Sequence, residues 1–312
     1  MIFSYAVRRL IQMIPVLVGM ALIVFLMIHL VPGDPARSML GPRAPESEVI
    51  ELRQRWGLDE PLPVQFGQFV VRLARGDLGE SLSYGVPVEE LIAGRVLPTL
   101  LLILYAVVLV SLITIPLAAL VAANKGTWID HLVRVIPLVG LGMPSFWLAI
   151  ILILLLALRL GWFPVGGYGR TPAEILRALF LPGLTVAIAI APFTLRSLRA
   201  ALLEVLESDF IDTARAKGLS ERRVLLAHGM RNAVIPTVTV LGVSIGWLVG
   251  NTLVVEKVFA IPGLGALMID AVLERDFPVV QALALIFGIL VVIVNLVADL
   301  VRAALDPRIK LA

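Results

Sequence analysis

The chain has 312 residues, of which 59% are hydrophobic and 16% charged, with a net charge of +3 and no cysteine. Soluble domains average roughly 45–50% apolar and about 25% charged, so this composition implies an integral membrane protein. Disulfides and thiolate metal sites are excluded, and no Lys/Arg stripe interleaved with aromatics supports nucleic-acid binding.

Leu10–Val31 carries no formal charge and is long enough to cross a ~30 Å hydrocarbon core as a helix. Arg8 and Arg9 precede it. The apolar run is too long for a cleaved signal and no small-x-small site follows, so an uncleaved anchor over 1–31 is expected. Pro32-Gly33-Asp34-Pro35 then stops the helix. Residues 32–97 form a polar insert with helical spacing in Glu46–Trp56 and in Val64–Leu73, and a turn at Arg75–Gly79. The insert is too small for an independent enzyme core.

Five further spans are expected: Leu97–Ala123, Val135–Leu158, a fourth from near Pro182, Ala233–Val255 and Val279–Val301. The third is interrupted by Pro137, Gly140, Gly142 and Pro144. Helical periodicity in the fourth continues past Arg196 to Glu207, so that helix projects from the bilayer, and Ser220–Arg231 projects likewise. The reading is an all-α polytopic protein with a core over 98–303, a projecting loop at 208–231 and a short tail at 304–312. Lys and Arg counting sets its orientation. With both termini cytoplasmic, fourteen of the 26 basic residues fall in cytoplasmic segments, and the two short opposite loops hold three and two.

Within the spans, ionisable groups are nearly missing: His29, Arg159 and Asp299 sit towards span ends, and Asn295 is uncharged. Ion-coupled carriers and charged channel filters place such groups inside the membrane, which counts against both classes. The three histidines lack ligand spacing, and no Walker A loop, Gly-x-Ser-x-Gly or His-Glu-x-x-His is present. Uphill movement would therefore draw its energy from another subunit. That directs attention to Ser208–Gly218. Ser208 suits an N-cap, Asp209 the first turn, Lys217 the last turn and Gly218 a left-handed stop. Phe210 and Ile211 are apolar, Ala214 and Ala216 are small, and Asp212, Arg215 and Lys217 could fix register. From the residues alone, a docking helix and a solvated loop both stand.

Asp209-Phe210-Ile211-Asp212-Thr213-Ala214-Arg215-Ala216-Lys217-Gly218 closely resembles the coupling loop of bacterial ABC importer permeases of the peptide, glutathione and nickel group. Pro32–Pro35, Gly57-Leu58-Asp59, Gly76–Gly79, Arg231–Pro236, Glu256-x-x-Phe259 with Pro262-Gly263-Leu264-Gly265, and Asp306-Pro307-Arg308 match in order and spacing. The general ABC pattern begins Glu-Ala-Ala; Asp212-Thr213-Ala214 is the variant this group commonly carries. The long insert resembles that of the first of two paired permeases.

The resemblance implies a type I importer fold of six transmembrane helices in the bacterial cytoplasmic membrane. It implies a heterodimer with a second permease, two cytoplasmic ATPases that bind ATP and Mg, and an extracytoplasmic substrate-binding protein. It implies no cofactor and no catalysis in this chain. It implies that Asp209–Gly218 contacts an ATPase, and more weakly that Glu256, Phe259, Pro262, Gly263 and Gly265 contact the binding protein. Dipeptides, longer peptides, glutathione and nickel complexes stay open as cargo, small peptides first.

Overall fold

Runs of apolar residues without charge form the long helices, because in hydrocarbon each backbone N–H and C=O must be satisfied within its own segment. The computed structural model describes residues 2–30, 34–41 and 43–305. Pro32 and Gly33 of the expected stop, and Asp306-Pro307-Arg308 of the tail, lie outside the described residues. Helix α1 (Ile2–Leu30) leads into three short helices, α2 (Pro35–Leu40), α3 (Glu46–Trp56) and α4 (Leu62–Ala74). Then follow α5 (Val88–Ala123), α6 (Trp128–Leu141), α7 (Ser145–Leu152, continuing π-helically over Ile153–Arg159) and α8 (Pro172–Ala178). After these come α9 (Phe180–Leu206), α10 (Asp209–Ala216) and α11 (Glu221–Arg223, π-helical over Val224–Gly229). The last three are α12 (Met230–Val258), α13 (Leu264–Glu274) and α14 (Phe277–Leu305).

Among the described residues five stretches are individually long and apolar enough to cross a membrane: Ile11–Leu30, Val88–Ala123, Phe180–Leu206, Glu221–Ser244 and Phe277–Arg302. The third expected span is not one helix. It breaks between Leu141 and Ser145, because Pro144 has no N–H to continue the ladder and its ring crowds the preceding turn. The second span begins at Val88 rather than Leu97, and Pro98 lies buried inside it. Glu89 and Glu90 in its first turn suit the positive end of the helix dipole.

The core is the packing of α5 on α9 and of α9 on α12. Leu102, Ala106 and Val110 of α5 meet Val186, Ala187 and Ile190 of α9, all buried. Gly183 permits this approach, since a Cβ there would sit 2.8 Å from the Tyr105 ring. Helix α14 packs on α12, and α1 packs on α14. Ile11, Ile14, Val18 and Ile23 on α1 are each more than half exposed, a surface suited to lipid.

Contacts between loops fix which elements share a side. Lys125, after α5, pairs with Glu207, after α9, at 2.8 Å. Asp130 of α6, 2% exposed, receives Arg199 of α9 in a bidentate pair, Nε–Oδ1 3.0 Å and Nη2–Oδ2 2.9 Å. Helix α10 is therefore on this side. On the opposite side Ser81 and the Ser83 N–H donate to Asp276, between α13 and α14. Thr99 of α5 donates to Glu256 of α12 there.

Removing one partner of the Asp130–Arg199 pair leaves a desolvated charge, which typically costs about 3–5 kcal/mol. Asp130→Ala should lower the thermal midpoint of the purified chain markedly. Arg199→Ala added to it should cost far less than it does alone. Strictly additive losses in a double-mutant cycle would refute the coupling.

Candidate functional site

Helix α10 is short, with a Gly to end it and charges at the ends that oppose its dipole. Ser208 is extended at the N-cap (φ −87°, ψ 149°), yet its hydroxyl donates back to the Val205 carbonyl instead of accepting from α10. The same carbonyl accepts the Ser208 N–H at 3.1 Å, so the hydroxyl adds a second donor at the end of α9. At the other end Gly218 has φ +79°, as the left-handed stop requires. The Gly218 N–H donates to Arg215 O (2.9 Å) and the Leu219 N–H to Ala214 O (3.4 Å). Those two bonds, with Leu219 packed beside Ala214, make a Schellman cap.

The faces of α10 differ from a simple reading of its composition. Ile211 (0% exposed) and Ala214 (8%) point inward and pack with Val224 against Val205, Leu206 and Leu219. They anchor the helix and are not available to a partner. Phe210 is 45% exposed, and Asp209, Asp212, Thr213, Arg215, Ala216, Lys217 and Gly218 are exposed as well. Arg215 holds Glu221 at 3.0 Å and Asp212 at 3.1 Å, tying α10 to α11. The hydrogen bond to Glu221 raises the Arg215 guanidinium above its ordinary value, with Asp212 adding to it. Next to α10, the hydrogen bond from Lys125 lowers the Glu207 carboxyl below the usual range. The outward surface is thus an aromatic, Phe210, with Thr213, Ala216 and Lys217 following at helical spacing. It is small and held from behind, and after the Gly218 stop the chain resumes at α11, which runs through the π-helical turn into α12.

Of the residues expected at a binding-protein contact, four are buried and hold a turn together. Glu256 is fully buried and accepts from Thr99 Oγ1 (2.7 Å), the Gly265 N–H (2.7 Å) and the Ala266 N–H (3.0 Å). Its carboxylate caps the N-terminus of α13, where the helix dipole favours negative charge. Thr99 Oγ1 in turn accepts from the Leu264 N–H at 2.8 Å. Gly263 and Gly265 are required by closeness, since a Cβ on either would fall 2.2 Å and 2.9 Å from Glu256 Oε2. Phe259 is 1% exposed and its carbonyl accepts from the Gly167 N–H at 2.8 Å. Of the five, only Pro262 is exposed. The motif builds a turn. Thr99, Asp130, Arg199, Ser81 and Asp276 were invisible as partners in the sequence, because the pairs are 69 to 195 residues apart.

Among the described residues no cluster of three or more His, Asp or Glu could hold a metal. The geometry offers a small exposed helical face fixed by a buried anchor.

Comparison with known proteins finds two family models and several close relatives. The family model described as binding-protein-dependent transport system inner membrane component matches residues 114–311. Its N-terminal companion, binding-protein-dependent transport system membrane component, matches residues 2–85. A protein of Salmonella paratyphi A, the glutathione transport system permease protein GsiC, is 41% identical over 307 residues, 98% of this chain and 99% of its own. The protein of that name from Escherichia coli O6:H1 is 42% identical over 308 residues, again 98% and 99%.

Thr99→Val would strip Glu256 of a donor and leave the Leu264 N–H unpaired, a loss of about 1–3 kcal/mol. The thermal midpoint should fall and cleavage by protease in 259–264 should rise, whereas Thr99→Ser should behave as wild type. Equal behaviour of the Val and Ser variants would contradict the capping role.

Proposed function

The chain belongs to the family of binding-protein-dependent transport system inner membrane components, and from that premise we propose that it is driven through the exposed face of α10. As a member it is a non-catalytic permease subunit of an ABC importer in the bacterial inner membrane, working with a partner permease, an ATPase and a substrate-binding protein. The reading goes further in assigning two ATPases, a second and different permease, and the cytoplasmic side to α10. ATP-driven closure of the ATPases would push α10, and the rigid connections to α9 and α12 would pass that displacement to the spans.

The single observation that supports this coupling role is the division of α10 into a buried anchor, Ile211 and Ala214, and an exposed face led by Phe210. A solvated loop needs neither a fully buried isoleucine nor a half-exposed phenylalanine on a helix closed by a Schellman cap. The cargo we assign is a small peptide of the glutathione class, supported by about 41% identity over nearly full length to permeases named for glutathione transport. The mostly apolar spans carry no charge arrangement that would favour a metal complex.

Phe210→Glu tests the docking face because it leaves the anchor intact. The variant chain should keep its thermal midpoint yet lose ATPase in co-purification and lose transport in proteoliposomes. Ile211→Glu should instead lower the midpoint as well. Full ATPase retention and full uptake by Phe210→Glu would overturn the assignment. Uptake of labelled glutathione against a labelled dipeptide, with the cognate binding protein, tests the cargo; preference for the dipeptide would overturn that part alone.

A further inference from the structure

Helix α4 has apolar residues on opposite faces. Its inner side, Phe66, Phe69 and Leu73, packs on Ala21, Val24 and Phe25 of α1 and on Leu285 of α14. On its outer side Val64 and Val71 are 44% and 49% exposed. Val64 and Val71 beside Gln68 and Arg72 make an outer face that suits a boundary between water and lipid better than open water. The depth of α4 follows from its neighbours. Helix α1 has 29 residues, a length of about 43 Å, which matches the ~40–45 Å thickness of a bilayer with its headgroups. Phe25 and Ala21 precede its end at Leu30 by about 7 and 13 Å along the axis. Leu285 is about 12 Å in from the start of α14 at Phe277, the same depth by an independent span. Helix α4 is thus at the boundary of headgroups and acyl chains, where interfacial helices reside.

An open groove of about 540 Å³ lies on this outer face, between the end of α3 and α4. Arg55, Trp56, Val64, Val71, Arg72 and Arg75 line it, and no acidic residue does. Arg55 is held by Glu80 at 2.6 Å. Among the described residues Arg72 and Arg75 form no ion pair. Two uncompensated guanidiniums therefore stand over an apolar floor at headgroup depth, beside a tryptophan of the kind enriched at that level.

We propose that this groove is a binding site for an anionic phospholipid of the leaflet opposite α10, with the phosphate on Arg72 and Arg75 and the glycerol and upper acyl chain along Val64 and Val71. Arginine matches phosphate geometry through its planar fork of donors. The bound lipid fixes α4, and through it the insert, against α1.

The test uses the assembled transporter in nanodiscs of phosphatidylethanolamine with phosphatidylglycerol. Native mass spectrometry reads the enrichment of retained phosphatidylglycerol over phosphatidylethanolamine. Arg72→Gln with Arg75→Gln should cut that enrichment by about fivefold per arginine, while the paired Lys variants keep it largely intact. The chain has no cysteine, so Val71→Cys carries a single nitroxide in it, with both arginines present. Oxygen should collide with that label more than a water-soluble nickel chelate does. Unchanged enrichment in the Gln pair would overturn the proposal. So would a label favouring the nickel chelate, or one shielded from both reagents by the second permease.

Discussion

The burial of Ile211 and Ala214 against Val205, Leu206, Leu219 and Val224 is the constraint on which helix α10 depends. An eight-residue helix is too short to be stable in isolation, since nucleation costs more than so few hydrogen bonds return. Helix α10 exists because two of its side chains are taken out of water by the ends of the neighbouring helices. The same burial makes it a solid projection. A force applied to Phe210 or Lys217 meets side chains packed at close to crystal density, which transmit displacement instead of absorbing it.

The two sides of the membrane are held by different chemistry to the same end. Beside α10, the Asp130–Arg199 pair joins α6 to α9, and Lys125–Glu207 adds an exposed contact of small energetic weight. On the opposite side, Glu256 gathers α5, α12 and the start of α13 around one buried carboxylate, and Asp276 fastens the insert to the head of α14. Between these polar anchor points the spans meet through small and apolar residues, as at Gly183 beneath Tyr105.

Much of this was legible from the chain alone. Charge-free runs located the long helices to within a few residues for α9 and α14, and Gly218 marked the end of α10 by its need for a positive φ. The start of α5 was misplaced because Pro98 reads as a boundary while the helix passes through it. Pro144 was recognised as a breaker, but composition does not say that it separates two helices. Glu256 through Gly265 was the less legible part. The resemblance implied contact with a binding protein there, and gave no sign that these residues satisfy one another: a buried carboxylate, two N–H groups and glycines that leave it room. Inward and outward faces of α10 were likewise unreadable, because Phe210 and Ile211 are adjacent and both apolar. Only the direction of each side chain separates them.

The most direct measurement is a single-cysteine scan of 209–218, reading maleimide labelling of the membrane-embedded chain with and without its ATPases. Cysteine at 210, 213, 216 and 217 should label readily in the chain alone and become protected when the ATPases are added, while 211 and 214 stay unreactive in both. Labelling at 210, 213, 216 and 217 that the ATPases leave unchanged would contradict the account.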